Sequence, residues 1–316
     1  MPFISICIPA YKRIAYLDRL LQSIAIQDFK DFEIIITDDS PDNSVRLLCD
    51  QYIEILSITY YKNQVALGPP ANWNKAISLA KGAWIKLMHD DDWFATPDAL
   101  WQFADCAKQH QGAFIFSAFI NKFEDSGKEV TSFPNSFRLR QLKRNPASIL
   151  SKNIIGHPST TLHLNDGKHL YDEKLKWLVD VEMYIRRAKN NNLKYISQPL
   201  IILGMSDSQV TAQVKNDLTV EIPEHLYFLN KMGIGILKNI LAYDYFWRFI
   251  RNFNIKSEDY LKEYDQKNSI HESIRSIIRF QNKIPSRLLK IGIISKMLML
   301  VHYLTHQKHL DNDDSL

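Results

Sequence analysis

The chain has 316 residues, of which 46% are hydrophobic and 23% are charged, as in an ordinary globular protein with one large domain or a domain with an appendage. A net charge of +4 is too small to indicate nucleic-acid binding. The sequence also excludes a membrane-spanning helix, because no apolar run reaches roughly 18 residues.

Cysteine usage and the first residues favour a cytoplasmic protein. Cys7, Cys49 and Cys106 are odd in number, lie far apart and form no CxxC pair, which fits a reducing compartment. An apolar run begins at Phe3, without the basic segment and long apolar stretch of a signal peptide.

The N-terminal part of the chain alternates apolar strands with helices. Strands are predicted at residues 3–8, 32–37, 57–61 and 83–88, and helices at 17–24, 44–51 and 72–81. This alternation predicts an α/β fold with a mostly parallel central sheet and helices on both faces. The loops that follow the strands should meet at the carboxyl edge of the sheet, where ligands bind in such folds.

The rest of the chain is predicted to extend the sheet and then to become helical. Further strands are predicted at 113–119, 128–133, 159–164, 195–197 and 200–203, helices at 98–110 and 181–188, and an irregular basic stretch at 134–144. Beyond about residue 218 helices are predicted at 226–232, 236–251 and 287–304. We therefore expect a domain over 1–217, a helical extension over 218–310 and a disordered acidic tail at 311–316.

Three consecutive carboxylates, Asp90, Asp91 and Asp92, follow the strand at 83–88. At separations of about 5–6 Å each pair repels by roughly 1–3 kcal/mol, so a compensating interaction is expected. An acidic turn or a set of helix caps is the structural alternative, but Thr96 and Pro97 already supply the N-cap and the first residue of the next helix. Clustered carboxylates at a strand end favour a divalent Mg2+ or Mn2+ ion that also binds phosphate oxygens.

A second acidic pair, Asp38 and Asp39, follows the strand at 32–37. The surrounding Asp-Asp-Ser-Pro-Asp-Asn-Ser is typical of a turn whose side chains bond their own backbone. The pair also lies one strand away from Pro9–Arg13 on the same predicted sheet edge, where a carboxylate would be placed to accept a hydrogen bond from a nucleotide base. The residues alone leave both interpretations open.

Four blocks follow one another along the chain. They are Ser-Ile-Cys-Ile-Pro-Ala-Tyr-Lys-Arg at 5–13, Phe-Glu-Ile-Ile-Ile-Thr-Asp-Asp-Ser at 32–40, Gly68 through Asn74 to Gly82, and Met-His-Asp-Asp-Asp-Trp at 88–93 with Pro97 behind it. In this order they resemble the family 2 glycosyltransferases of GT-A fold, over roughly residues 3–205. The resemblance implies transfer of a sugar from a nucleotide-diphosphate sugar, and no block specifies the sugar.

The resemblance assigns the donor-binding residues position by position. Pro9 and Tyr11 would border the nucleotide base and ribose, with Arg13 close to them. Asp39 would accept a hydrogen bond from the base, expected to be uracil, and Asn74 would line the nucleotide pocket. The expected donor is therefore a UDP-sugar.

The acidic triple stands where the family carries its DxD-type motif, which holds the ribose and, through a metal ion, the diphosphate. The resemblance implies nucleotide contacts from Asp90 and Asp91, and a Mn2+ or Mg2+ ion held chiefly by Asp92 with Asp91 next. Two positions depart from the family pattern, since His89 stands where Asp is common and Trp73 where Arg is frequent. A phosphate contact from the helix at 72–81 is therefore not implied.

The segment 177–187 resembles the part of the family in which an acidic residue opening a helix is the general base, and Asp180 takes that position. The structural alternative is that Asp180 only caps the helix. Glu182 is the other carboxylate of the segment, but on a helix it would face elsewhere. A base and a metal on the leaving diphosphate are sufficient for a single displacement with inversion.

His157 either faces the acceptor or is structural.

The C-terminal helices are locally basic, with no acidic residue from Ser273 to Lys308. Five cations would form one stripe on a continuous helix, which Pro285 should break: Arg275, Arg279, Lys283, Arg287 and Lys290. The stripe is either a solvated face or a contact with anionic membrane lipid. The expected acceptor is a hydroxyl of a glycan or a lipid-linked glycan, and the second alternative adds peripheral attachment to the inner face of the membrane.

Two other functions compete with transfer. A nucleotidyltransferase also uses carboxylates and metal on an α/β sheet, but it would be expected to carry a Gly-rich basic loop where this chain has Pro9-Ala10-Tyr11. A non-catalytic nucleotide-sugar binding or scaffold protein would keep the donor pocket without turnover. The sequence favours the glycosyltransferase because four blocks agree with it.

Overall fold

The computed structural model describes residues 1–167, 170–190, 192–206 and 216–312. The chain folds into two compact units. The first consists of Met1–Leu139, Ile154–Leu175 and Met183–Gln209, and the second of Arg140–Asn153, Lys176–Glu182 and Val210–Leu316. Two segments of the second unit thus precede the predicted boundary at residue 217.

Within the described residues, nine strands of the first unit form one sheet in the order β3-β2-β1-β4-β8-β6-β9-β5, with β7 paired to β6. The strands are β1 Ile4–Ala10, β2 Phe32–Asp38, β3 Ile58–Lys62, β4 Trp84–Leu87, β5 Asp92–Phe94, β6 Phe114–Phe123, β7 Glu129–Ser132, β8 Thr161–Leu164 and β9 Leu193–Met205. Strands β1 to β4 are parallel, β8 runs antiparallel to its neighbours β4 and β6, and β9 is parallel to β6. The predicted α/β class with a mostly parallel sheet is confirmed.

Helices pack against this sheet because each buries one apolar face. In α1 (Ile14–Ala25), the residues Leu17, Leu20, Leu21 and Ile24 recur at helical spacing and are buried. The other helices of this part of the chain are α2 Ser44–Gln51, α3 Ala71–Ser78, α4 Ala99–Gln109, α5 Ser136–Arg144 and α6 Val179–Asn190. The division between the units falls inside α5 and α6.

The second unit is helical over the residues described there, as the sequence predicts for the chain beyond residue 218. Its helices are α7 Leu218–Met232, α8 Ile240–Asn252, α9 Glu258–Tyr264, α10 Glu272–Asn282, α11 Ser286–Lys290 and α12 Gly292–Asn312. Buried aromatic side chains such as Phe246 and Trp247 fill its core. Among the helices of the described ranges, none is long and apolar enough to cross a membrane.

Several local predictions differ from the structure. The stretch 134–144, predicted to be irregular, contains α5, whose start is stabilised by Asn135 Oδ1 accepting the Arg138 N–H at 2.8 Å. The N-cap position of α4 is Asp98 rather than Thr96, whose hydroxyl donates to the Asp98 carboxylate at 2.6 Å.

Two predictions near the C-terminal half also need comment. The two short strands predicted around Pro199 are one strand, β9, which accommodates Pro199 through a shift of register against β6. Pro285 separates α10 from α11, as predicted. The predicted tail at 311–316 lies partly outside the described residues, and α12 extends to Asn312.

Candidate functional site

Three loops meet where the parallel strands β1, β2 and β4 end. The Lys12 N–H donates to Ser40 Oγ at 2.8 Å, and the Asp39 N–H donates to the Ala10 carbonyl at 3.0 Å. The loop after β4 joins them, because the Tyr11 N–H lies 3.5 Å from the Asp90 carboxylate. The expected convergence of these loops at the carboxyl edge of the sheet is therefore observed.

Arg13 connects this edge to two members of the acidic triple. Its guanidinium donates to Asp90 Oδ1 at 2.5 Å and to Asp91 Oδ2 at 2.8 Å, and both carboxylates are buried. Burial raises the pKa of Asp90 to about 7, although Arg13 opposes the shift. The guanidinium thus offsets the repulsion between Asp90 and Asp91. The metal contact expected from Asp91 stays a prediction, and in this arrangement its carboxylate is ion-paired with Arg13.

Asp92 is directed to a different environment by its backbone. It opens β5, where it pairs with Leu203 of β9, and its Oδ1 lies 3.3 Å from the Gly204 N–H. Its Oδ2 lies 3.6 Å from His157 Nδ1, and the side chain is fully buried. Burial alone would raise the pKa of Asp92, but the imidazoles of His157 and His89 hold it below its usual range.

His89, Asp92 and His157 form a cluster that can hold a metal ion. One ligand atom from each lies within 4.8 Å of the others. Among the described residues, neither His89 Nε2 nor Asp92 Oδ2 has a hydrogen-bond partner, although both atoms are buried. Unsatisfied nitrogen and oxygen ligands of this kind fit a divalent cation, which would remove the cost of burying them.

The cluster is fixed by contacts between β4 and the segment that carries His157. The buried Lys86 Nζ on β4 donates to the carbonyl oxygens of Ser159 and, at 3.3 Å, of Thr161. Ser159 Oγ in turn accepts the His89 N–H at 3.0 Å. Burial lowers the pKa of Lys86 well below its usual value, although Asp92 opposes the shift. These contacts hold the segment that carries His157 beside His89, and no local sequence motif signals them.

The Asp39 carboxylate organises the loop between β3 and α3. It accepts hydrogen bonds from the Asn63 side-chain amide at 2.7 Å and from the backbone N–H groups of Leu67 and Gly68 at 3.0 and 2.8 Å. The neighbouring Asp38 accepts from Lys62 at 2.9 Å. Local bonds of the kind expected for a turn are also present, since Asp38 Oδ1 accepts the Ser40 N–H at 2.7 Å and Asp42 Oδ1 accepts the Ser44 N–H at 3.0 Å. A role for Asp39 toward a nucleotide base stays a prediction.

The other residues predicted to bind the nucleotide lie in the first unit and differ in their contacts and exposure. Asn74 exchanges two hydrogen bonds of 2.8 Å with the backbone of Tyr171, which ties α3 to the loop after β8. The Trp73 ring contacts the His89 ring at a tilt of 39°, with ring centroids 4.7 Å apart. Pro9 is buried within β1, whereas Tyr11 is half exposed. Tyr11 is thus the most accessible of the predicted base-binding residues in this group.

Asp180 lies in the segment 176–182, which belongs to the second unit. Helix α6 begins at Val179, so Asp180 stands in its first turn rather than at the N-cap position. Its role as general base and the alternative that it only stabilises the helix start both stay predictions. Glu182 is buried and forms an ion pair with Lys231 at 2.9 Å. Asp180 is half-buried, whereas Glu182 is fully buried and ion-paired.

A carboxylate that sequence reasoning missed stabilises the start of α6. Glu224 on α7 accepts the backbone N–H groups of Lys176, Trp177 and Leu178 at 2.6, 2.9 and 3.1 Å. These N–H groups belong to the three residues immediately before α6, so the carboxylate holds the chain where it enters the helix. Burial raises the pKa of Glu224, although these bonds oppose the shift. The only sequence signal was an acidic residue within an apolar helix.

Residues 5–160 match the family described as glycosyl transferase family 2. A glycosyl transferase of Escherichia coli strain K12 named for colanic acid biosynthesis, WcaA, is 33% identical over 193 residues, which cover 58% of this chain and 66% of that protein. The chain thus spans about two thirds of the length of this relative.

Solved structures show the same fold. TarS 1-349 of S. aureus, in complex with UDP-GlcNAc, matches with a TM-score of 0.60 and 16% identity over 90% of this chain and 92% of that one. The mannosyltransferase PcManGT of Pyrobaculum calidifontis, in complex with GDP-Man and Mn2+, matches with a TM-score of 0.56 and 13% identity over 96% of this chain and 86% of that one. The sheet, the matched residues and the relatives agree, and the chain belongs to glycosyltransferase family 2.

Proposed function

We propose that the chain is an inverting glycosyltransferase that moves a sugar from a UDP-sugar to a hydroxyl of a glycan or lipid-linked acceptor. Membership in the family supports the reaction class, and the UDP-GlcNAc complex of TarS supports the nucleotide. The relative named for colanic acid biosynthesis supports a role in building a polysaccharide. The observation that carries the proposal is the cluster of His89, Asp92 and His157 at the carboxyl edge of the sheet, in which His89 Nε2 and Asp92 Oδ2 are buried without a hydrogen-bond partner among the described residues.

The donor would be bound by residues from the loops that meet at this edge. We assign the nucleoside to Pro9, Tyr11 and Asp39, and the ribose to Asp90 and Asp91. Arg13 would lie close to the nucleoside while neutralising both acids, and Asn74 would support the pocket by holding the loop at Tyr171. Sparse polar groups on rigid backbone fix a ligand in this way because they add specificity at little entropic cost.

Asp92 would hold the metal, with His89 and His157 as further ligands and Asp91 as the next carboxylate. When bound, Mn2+ or Mg2+ supplies Lewis acidity that neutralises charge on the leaving diphosphate. Two imidazole nitrogens favour Mn2+ over Mg2+, since Mg2+ prefers oxygen ligands. The Mn2+ complex of PcManGT agrees with this preference.

Asp180 is assigned the role of general base. The carboxylate would accept the proton of the acceptor hydroxyl while the hydroxyl oxygen attacks the anomeric carbon and the bond to the diphosphate breaks. One displacement inverts the anomeric configuration and needs no covalent intermediate. The assignment rests on the resemblance of residues 177–187 to the family and on the place of Asp180 in the first turn of α6.

A thermal-shift panel of UDP-, GDP- and dTDP-sugars with and without Mn2+ tests the donor and the metal together. We expect the largest rise in melting temperature with a UDP-sugar and Mn2+, and a smaller rise for Asp92→Asn. Stabilisation by nucleotide that is indifferent to Mn2+ would contradict the role of Asp92.

Asp180→Asn tests catalysis separately from binding. We expect transfer to fall by roughly 100-fold or more with donor binding kept, because the base is lost while the donor residues remain. Asp259→Asn is the matched control, since Asp259 also stands in a first helical turn of the second unit and is exposed. No turnover by the unmutated protein with any donor would instead favour a non-catalytic binding protein.

A further inference from the structure

Helix α12 has apolar residues on two faces, and the second unit covers one of them. Met299 and Tyr303 are buried on the covered face, where the Tyr303 hydroxyl donates to the Lys238 carbonyl at 2.6 Å. On the same face, Ser295 Oγ accepts the Trp247 indole N–H at 3.0 Å. This face accounts for the attachment of the helix to its own unit.

The opposite face of α12 is apolar and exposed. Its side chains are between 42% and 77% exposed and comprise Ile293, Met297, Leu300, Val301 and Leu304. At about 100° per residue, these positions fall within a stripe roughly 100° wide, which is the width by which a helix normally packs on a core. Leu288 and Ile291, just before α12, are also exposed and apolar. A continuous stripe of this kind indicates a contact surface.

Four basic side chains lie in the chain just before this stripe or within α12 itself. Lys283, Arg287, Lys290 and Lys296 are exposed, and none of them forms an ion pair with a side chain that the structure describes. Two other cations of the basic stripe predicted from the sequence are neutralised, since Arg275 pairs with Glu258 and Arg279 with Glu272. The positive charge that remains is therefore carried by residues 283–296, the part of the chain in which the exposed apolar residues begin.

We propose that α11 and α12 dock onto an anionic lipid bilayer, with the apolar stripe in the interface and the four cations at the headgroups. A bilayer surface offers apolar depth and negative charge together, which this combination of side chains requires. A second copy of the chain fits less well, because a two-fold contact would bring the same four cations toward one another.

Co-sedimentation with vesicles tests the docking without donor, metal or acceptor, so its outcome is independent of transfer. Vesicles of phosphatidylglycerol and phosphatidylethanolamine are compared with vesicles of phosphatidylcholine alone. We expect binding only to the first kind. The charge variant combines Lys283→Gln, Arg287→Gln, Lys290→Gln and Lys296→Gln, and should weaken binding about fivefold per cation, or roughly 600-fold in total where the four contributions add.

A matched control carries the same change of charge in the first unit, at Lys30, Lys75, Lys81 and Lys128, all exposed, each changed to Gln. It should bind as the unmutated protein does. An apolar variant, Ile293→Ser with Met297→Ser and Val301→Ser, should lose binding at equal charge, with its melting temperature showing that it remains folded.

Three results would overturn the proposal. They are equal sedimentation with and without vesicles, equal losses in the charge variant and its control, and a dimer in analytical ultracentrifugation that the apolar variant abolishes while no vesicle binding is seen. The last result would assign the stripe to a second copy of the chain.

Discussion

Glu224→Gln is expected to loosen the start of α6, where Asp180 stands. Glu224 Oε2 accepts from Trp177 and Leu178, and Oε1 accepts from Lys176 at 2.6 Å. Glutamine keeps one acceptor oxygen but directs an NH2 group at the remaining N–H, so one bond is lost and two lose their charge assistance. A hydrogen bond to a charged group contributes roughly 1.5–3 kcal/mol. Because the cost of burying the carboxylate offsets part of the sum of the three bonds, we expect the substitution to lower the local stability at the start of α6 by about 3 kcal/mol.

Hydrogen exchange of the amides of residues 176–178 measures this loss locally. A loss of about 3 kcal/mol corresponds to exchange roughly 100-fold faster, if these amides exchange by local opening. Because Asp180 follows them on the chain, kcat should fall while KM for the donor stays constant. Glu263→Gln, an exposed change on α9, should alter neither quantity. Unchanged exchange at residues 176–178 would show that Glu224 does not hold the start of the helix.

Three further perturbations have expected outcomes. Gly204→Ala places a Cβ 2.4 Å from the Asp91 carbonyl oxygen, so we expect the free energy of unfolding, measured in urea, to fall by about 1–3 kcal/mol. The control Gly292→Ala, whose Cβ meets nothing within 4 Å, should leave it unchanged. Equal stability of the two variants would refute the clash. Burial lowers the pKa of His225 to about 4, so the neutral imidazole stabilises the fold at neutral pH, and about 3 kcal/mol of the free energy of unfolding is lost as the pH falls from about 6.5 to 4. His225→Gln should flatten that part of the pH profile of the free energy of unfolding. An unchanged profile would refute this role of His225. Lys86→Met should weaken Mn2+ binding about tenfold by calorimetry, because the segment carrying His157 loses its anchor, and unchanged affinity would refute this role.

The part of the fold that depends on sequence-local signals is predictable. Apolar runs such as Ile4–Ala10 and Phe32–Asp38 identify buried parallel strands, and the spacing of Leu17, Leu20 and Ile24 identifies the helix between them. Strand β5 escapes prediction because it consists of Asp92–Phe94 and exists through pairing with β9, more than 100 residues further along the chain. Helix α5 was missed for a different reason, since Asn135 offered a cap that was not recognised.

The candidate site is predictable in composition and less so in geometry. The edge of the sheet that carries the acidic residues follows from the order of strands and loops. The pairing of Arg13 with Asp90 and Asp91 requires the positions of two loops that meet only in the folded sheet. His157 reaches Asp92 through the turn at 158–160, for which no periodic pattern exists. Glu224 was likewise invisible, because its partners are backbone groups and carry no residue type.

The acidic triple shows why adjacency in sequence does not give adjacency in function. Asp90 and Asp91 lie in the loop after β4 and face Arg13, whereas Asp92 belongs to β5, so the strand pairing turns its carboxylate toward Gly204 and His157. The two environments have opposite effects on proton affinity: the pKa of Asp90 is raised and that of Asp92 is lowered. A carboxylate that stays ionised beside two imidazoles is suited to hold a cation, and one that is paired with a guanidinium is suited to shape a loop. The strand that begins at Asp92 therefore turns one of three adjacent acids toward the imidazoles, while the other two face Arg13 at the site proposed for the ribose.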